Sequence, residues 1–264
     1  MSTIGIDIGT STTKIIEVKN GEIISKAIIR GRFSKEIYEE FLKNNEIENI
    51  EKVVFTGIGA DKIIKEDYGE NTFIIDEFTS IAKGALALTD KDEALIVSVG
   101  TGTAFIDSNK NECKHLGGTG LGAGTLFNFS KAFLKITNFD EMLELIENGD
   151  VEKVDLRIKD ITTQEIETLP LDLTLANFGK LNQESRPEDI AAGLINMVFE
   201  IIGMMAVFIV DKKENKDVVL IGNITGLPGV RTVLDRIEKV KNINFFVPED
   251  SEFSVAYGAI VAAN

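Results

Sequence analysis

The sequence predicts an α/β protein of two lobes, each a mixed sheet with flanking helices, meeting at a cleft. Three observations carry this expectation. Strand-like runs end repeatedly in glycine or an acid and lead into helical segments, at Asp7-Ile8-Gly9, Ile75-Asp76-Glu77, Val99-Gly100 and Ile221-Gly222. Ligands of open α/β sheets bind beyond such carboxyl ends of strands. The chain opens on three short strands joined by tight turns, one of them the hairpin pair Asn20-Gly21. The strand and glycine–hydroxyl turn of the opening return at residues 95–103, an architectural echo without a sequence repeat.

In order, residues 3–8 form a strand with Asp7 near its end. Gly9-Thr10-Ser11-Thr12-Thr13 is a hydroxyl-rich turn, and residues 14–19 return from it. Residues 22–29 add a third strand. Three antiparallel strands, with an acid and a phosphate-sized turn after the first, suggest a ribonuclease-H-like lobe. Residues 34–44 read as a helix capped by Ser34. Residues 52–56 are a strand reaching Gly57-Ile58-Gly59, and a short helix begins near Asp61. A strand over 72–75 ends on Asp76-Glu77, and 78–88 is helical in pattern.

The second half centres on residues 94–127. An apolar strand breaks into Ser98-Val99-Gly100-Thr101-Gly102-Thr103, and a return strand follows through Ala104-Phe105-Ile106. Beyond a polar turn comes a second glycine cluster, Gly117-Gly118-Thr119-Gly120-Leu121-Gly122-Ala123-Gly124. Glycine lets backbone N–H groups approach an anion closely, and successive N–H groups at such bends form anion-binding nests. Two such loops joined by a hairpin look like half of a nucleotide cleft. Residues 126–148 are helical with a break near Thr137-Asn138, where an amphipathic turn begins afresh. Residues 151–174 read as a short helix and a loop closed by Leu169-Pro170-Leu171. Pro187 starts a long apolar helix from a first-turn position. A buried strand over 218–221 enters Gly222-Asn223-Ile224-Thr225-Gly226, and helix 230–241, strand 244–247 and helix 254–263 complete the chain. No Pro/Gly/Ser-rich linker separates the lobes, which divide near residue 92 into 1–92 and 93–264.

Composition narrows the partners. The 264 residues are 44% apolar and carry a formal charge of −15, which argues for a folded chain and against nucleic-acid or anionic-membrane surfaces. The single cysteine, Cys113, excludes an intramolecular disulfide and fits a reducing, cytoplasmic setting. No signal peptide is expected, because Met1-Ser2-Thr3 leads directly into a strand. Residues 190–210 are apolar enough to raise a membrane question, but Asn196 and Glu200 lie inside them at a cost in hydrocarbon. A buried or interface helix is the better reading.

These pieces resemble the sugar-kinase, Hsp70 and actin superfamily, the actin-like ATPase fold. Gly5-Ile6-Asp7-Ile8-Gly9-Thr10 looks like its first phosphate motif and Ser98 to Thr103 like its second. Ile221 to Gly226 looks like its adenosine motif. Within that superfamily the chain is similar, over nearly its whole length, to the type II (eukaryotic-like) pantothenate kinases. The specific marks are Asp76-Glu77 with Lys83-Gly84 downstream, the Val99 to Thr103 run, the Gly117 to Gly124 cluster, Phe139 to Leu145 with Gly149-Asp150, and Asp172-Leu173-Thr174-Leu175-Ala176-Asn177-Phe178-Gly179.

The resemblance implies ATP- and Mg²⁺-dependent transfer of a phosphoryl group to the primary hydroxyl of pantothenate. In such a step positioning and charge neutralisation do most of the work. By resemblance, Glu77 is the base that accepts the hydroxyl proton, with adjacent Asp76 the runner-up. Asp7 would hold Mg²⁺ through water, and Lys14 would neutralise phosphate charge. The phosphates would lie on Gly9, Thr10, Ser11, Gly100, Thr101, Gly102, Thr103, Gly118, Gly120 and Gly122, and the adenosine on Gly222 and Asn223. Thr101, His115 and Glu77 would meet the acceptor.

Two departures concern the acceptor. His115 stands where the family places a pantothenate-binding arginine, and Ala104 where a hydroxyl usually contacts substrate. Imidazole cannot make the two-point grip of a guanidinium on a carboxylate. The family is dimeric through a long helix, so residues 190–210 are expected either to meet a second copy or to lie within one lobe. Competing functions are a kinase of the same fold acting on another small alcohol or amino sugar, a non-catalytic ATP-binding protein, and an activator ATPase. The last holds an iron–sulfur cluster with paired cysteines, which Cys113 alone cannot supply.

Overall fold

The computed structural model describes residues 1–164 and 170–264. The first strand, β1 (Ser2–Ile8), is buried along almost its whole length because it has a neighbour on each edge and a packed layer on each face. It pairs antiparallel with β2 (Thr12–Lys19) and parallel with β4 (Ile50–Thr56). Outside them lie β3 (Glu22–Arg30) and the short β5 (Thr72–Ile74), giving a five-stranded sheet of order β3-β2-β1-β4-β5. β3 alternates exposed and half-buried residues, as an edge strand with one wet face should. Helix α1 (Lys35–Asn44) buries Tyr38 and Phe41 against this sheet. Ser34 holds its N-cap position as expected, yet its side chain makes no capping bond.

A second sheet repeats the plan. Strands β6 (Glu93–Val99), β7 (Thr103–Asn109) and β8 (Cys113–Thr119) are consecutive antiparallel neighbours. β11 (Asp217–Ile221) and β12 (Asn244–Phe246) then add in parallel, for the order β12-β11-β6-β7-β8. Ribonuclease-H-like topology is therefore present twice, and the echo read at residues 95–103 is structural.

The helices between β8 and β11 form the outer layer of the second lobe. The expected break near Thr137-Asn138 divides α3 (Ala123–Leu134) from α4 (Phe139–Asn148). Lys135 turns left-handed at φ 57°, and the Asn138 side chain caps α4 by accepting the Glu141 N–H at 2.9 Å. The long helix is α5 (Pro187–Val210). Leu194, Val198, Phe199, Ile202 and Ala206 bury against Val97, Val99 and Phe105 of the sheet, so most of its apolar surface is core. It is long and apolar enough to cross a membrane by length and composition, and 61% of its most apolar window is buried within the chain.

Residues 151–174 differ from expectation. They hold single turns of 3₁₀ helix and a two-stranded ribbon, β9 (Leu156–Arg157) with β10 (Thr174–Ala176). Strands of two and three residues leave no alternation to read. Leu169, expected to close this loop with Pro170, lies outside the described residues.

The lobes are joined by a helix crossing. Helix α2 (Glu77–Thr89) follows β5 but packs Ile81, Ala85 and Leu86 on the second sheet, against Ile96, Ile106 and Ile221. The terminal helix α7 (Ser254–Ala262) does the reverse, seating Ala256, Ala259 and Ile260 on Ile16 and Val54 of the first. The helices touch backbone to backbone. A Cβ on Gly84 would lie 1.9 Å from the Ser254 carbonyl oxygen, and one on Gly258 1.9 Å from that of Ser80. This crossing fixes where α2 begins, and therefore where Glu77 points. Helix α6 (Val230–Val240) completes the second lobe.

Candidate active site

Three loops at the carboxyl ends of strands meet between the sheets. The turn after β1 reaches the turn after β6, where the Ser11 and Thr101 hydroxyls lie 3.0 Å apart. The loop after β11 reaches the same turn, with Asn223 Nδ2 donating to Thr12 Oγ1 at 3.3 Å. Gly222 adopts φ 126°, open to glycine, and a Cβ there would fall 2.1 Å from the Val99 carbonyl oxygen. The backbone N–H groups of Thr10, Ser11, Thr101 and Gly102 carry no hydrogen bond among the described residues. They form a set of free donors, the chemistry of an anion nest.

At the base of this cleft Asp7 pairs in register with Lys14 on β2 and with Thr56 on β4. Its carboxylate is buried and accepts from Lys14 Nζ at 3.3 Å. Burial pushes its pKa up, against the pull of Lys14. Buried hydroxyls of Thr13 and Thr56, and the Asn223 side-chain oxygen, find no partner among the described residues. Of these, Thr56 lies in register beside Asp7, and an unmet hydroxyl next to an acid–lysine pair suits a polar ligand.

Glu77 and Asp76 stand at the start of α2 in different circumstances. Asp76 is exposed and committed to the helix cap, accepting the Thr79 N–H at 2.9 Å and the Thr79 hydroxyl at 3.2 Å. Glu77 is half-buried and makes no such bond. Burial pushes its carboxyl up, the nearby charges of Asp7 and Asp76 push it further, and Lys14 opposes them. Asp7, Lys14 and Glu77 thus share one electrostatic environment.

The remaining sequence-predicted residues divide. Gly9 and Gly100 lie in the turns just described, and Thr10 and Ser11 are exposed there. Thr103 is buried, and its hydroxyl donates to the Leu121 carbonyl at 2.8 Å, bracing the entry to α3. Gly118 is not in a loop. It lies in β8 opposite Ala104, where a Cβ would meet the Thr103 carbonyl oxygen at 2.5 Å. Gly122 is buried against the carbonyls of Gly100, Thr101 and Gly102, each 2.7–2.8 Å from its Cβ position, so the second glycine cluster braces the first. Gly120 faces open space. His115 stacks on Phe78, the neighbour of Glu77, with ring centroids 4.4 Å apart and planes at 19°.

Two features escaped the sequence. Gly57, at φ 90°, would place a Cβ 2.5 Å from Asp7 Oδ1. Its signal was the strand-end Gly57-Ile58-Gly59, which carried no indication of what lay opposite. Arg30, at the end of β3, lies over the Phe139 ring of α4 at 5.3 Å and spans the lobes; nothing local pairs these two residues.

Two ribonuclease-H-like lobes around a cleft with a buried acid–lysine pair and free backbone donors define an actin-like ATPase fold. Solved structures agree on that fold. The activator of the 2-hydroxyisocaproyl-CoA dehydratase from Clostridium difficile with bound ADPNP aligns with TM-score 0.67 at 19% identity, covering 100% of this chain and 94% of that one. The ROK hexokinase from Thermus thermophilus aligns with TM-score 0.56 at 13% identity, over 99% and 98%. The Fumble family model matches residues 89–237. The type II pantothenate kinase of Staphylococcus saprophyticus is 30% identical over 231 residues, 83% of this chain and 84% of that protein. That of Staphylococcus epidermidis is 28% identical over 267 aligned positions, 97% of this chain and 98% of that protein. The chain belongs to the Fumble family, to which the motif order in the sequence had pointed.

Proposed function

We propose that this protein is a pantothenate kinase, transferring the γ-phosphoryl group of ATP to the primary hydroxyl of pantothenate to give 4'-phosphopantothenate for coenzyme A synthesis. The observation that carries the reading is the placement of Glu77: half-buried, free of the helix cap, and in the field of the Asp7–Lys14 pair. Relatives named type II pantothenate kinase across nearly the whole chain support the acceptor.

The cleft suits a magnesium nucleotide. Among the described residues no cluster of three His, Cys, Asp or Glu side chains is arranged to hold a metal. Asp7 would hold Mg²⁺ through water, since the ion keeps several waters and takes one or two carboxylates. When bound, MgATP supplies the phosphoryl group and neutralises part of its charge. The free N–H groups of Thr10, Ser11, Thr101 and Gly102 bind phosphate oxygens, and Lys14 Nζ adds a positive charge beside them. Gly222 and Asn223 give the adenosine a surface. Glu77 orients the acceptor hydroxyl and takes its proton as the oxygen bonds to phosphorus; a carboxyl held above the ordinary range is the stronger base for it. Asp76 fixes the helix end from which Glu77 projects. His115, stacked on Phe78, takes the acceptor's far end in the arginine's place.

Assembly as a cytoplasmic homodimer belongs to the same proposal. Helix α5 leaves Ile201 and Phe208 exposed on a stripe with the partly buried Met204 and Met205, an apolar face suited to a second copy. The free, exposed Cys113 fits a reducing compartment. Phosphopantothenate production from purified protein, ATP and pantothenate tests the reading.

A further inference from the structure

A second cavity, of about 590 Å³, opens between α6, α5 and the segment around β9, and none of the cleft residues line it. Asp150 and Asp172 on its wall belong to two of the family marks in the sequence, Gly149-Asp150 and Asp172 to Gly179, that have no part in the cleft. Its distinctive contents are two buried arginines. Arg157 is 5% exposed and Arg236 8%.

Each guanidinium is held in place yet left short of partners. Arg157 Nη1 donates to Glu152 at 2.9 Å, while its Nε is buried with no partner among the described residues. Arg236 donates through Nη1 alone, to the neutral oxygens Asn196 Oδ1 at 3.0 Å and Thr174 Oγ1 at 3.5 Å. No carboxylate among the described residues forms an ion pair with it. The Asn196 amide is in turn fixed by donating to Asp155 Oδ2 at 2.7 Å, and Asp155 also accepts the Phe178 N–H at 2.7 Å. A buried network therefore aims the Arg236 fork instead of neutralising it. Burial, and then the neighbouring Arg157 charge, work against the charged form of Arg236, while Glu200, Asp172 and Asp155 favour it without pairing with it directly. Of the acids on the wall, Glu152 is engaged by Arg157 and Lys159, Asp172 by Lys159 at 3.8 Å and Asp235 by Arg231, while Glu147 and Asp150 form no ion pair among the described residues. A buried, oriented guanidinium with no direct ion pair is costly unless a partner satisfies its remaining donors.

We propose that this cavity binds the phosphate group of a small molecule between Arg157 and Arg236, with Lys239 at its mouth. A guanidinium fork offers paired N–H donors to a multi-oxygen anion, a geometry that favours phosphate, and the Arg236 Nε and Nη2 are free to make it. The site is distinct from the catalytic cleft and does not depend on the identity of the acceptor there.

Thermal unfolding of the full chain tests it, in buffer of constant ionic strength with inorganic phosphate replacing chloride. The Lys14→Ala background weakens the cleft's own hold on phosphate. In that background phosphate should raise the midpoint saturably, by about 3 °C at ten times the dissociation constant. Adding Arg236→Met should abolish the rise. Arg236→Lys, which keeps the charge and loses the fork, should weaken phosphate binding severalfold, and it serves if the Met variant fails to fold. Glycerol phosphate as a second probe separates the sources, since tighter binding than inorganic phosphate identifies a monoester as the natural occupant. An unsaturable rise, or one equal in the parent and both Arg236 variants, would overturn the assignment.

Discussion

Gly57 and Asp7 are fitted to one another: the space a side chain on Gly57 would need is the space the Asp7 carboxylate occupies, with 2.5 Å between the would-be Cβ and Oδ1. Gly57 also sits at φ 90°, where an L-residue is strained. Gly57→Ala should therefore cost about 1–3 kcal/mol of stability from backbone strain and contact, and should lower turnover by displacing Asp7. Chemical denaturation and steady-state kinetics on the same sample check both halves. A variant with parental activity would show that the Asp7 position is not critical.

Glu77 and Asp76 separate by charge and by proton. Glu77→Gln keeps shape and removes the proposed base, so turnover should fall by about 10²–10⁴-fold while nucleotide binding persists. Asp76→Asn preserves the cap, since Asn caps as well as Asp, and should cost far less. If Asp76→Asn proved the more damaging change, the two roles would be exchanged.

The same pair predicts a pH profile. A base must be deprotonated to act, and Glu77 is raised by burial, by Asp7 and by Asp76. The acid limb of kcat/KM should therefore lie above the ordinary glutamate range of about 4.3. Asp76→Asn removes one of the raising charges, so its limb should move to lower pH. A limb that stays in place would remove Asp76 from the electrostatics of the base.

The legibility of this protein in its sequence followed the range of the interactions. Asp7, Gly9, Gly100 and Gly222 stand out in the sequence because each lies at the end of an apolar strand, a local pattern. The two lobes followed, since hairpins and strand–helix alternation are local too. Which face a glycine presents is not local. Gly118 and Gly120 are two residues apart, yet one is pressed against the Thr103 carbonyl and the other is open, a difference set by the β7–β8 register. Gly57 against Asp7, Arg30 over Phe139 and Arg236 on Asn196 all join distant segments, and no periodicity announces them. Ribbon strands of two and three residues are too short to alternate.

His115 offers a test of acceptor recognition. A guanidinium grips a carboxylate at two points, more strongly than a neutral hydrogen bond does. His115→Arg should lower KM for pantothenate with little change in kcat. It also breaks the stack on Phe78, so a Phe78→Leu control should be measured alongside. Unchanged KM in the arginine variant would place the carboxylate elsewhere.

For assembly, light scattering at micromolar protein should give twice the chain's 28.9 kDa. Phe208 is 72% exposed on α5, and Phe208→Glu should yield a folded monomer by placing a charge in the apolar contact. A parent of monomer mass would end the dimer reading.

The most direct test of the central claim is mass spectrometry of the reaction of purified protein with ATP, Mg²⁺ and pantothenate, run beside Glu77→Gln. The account predicts 4'-phosphopantothenate in stoichiometric balance with ADP from the parent, and a hundredfold or greater loss in the variant, about the scale of a missing general base. Intact ATP binding with no phosphopantothenate from the parent would contradict it.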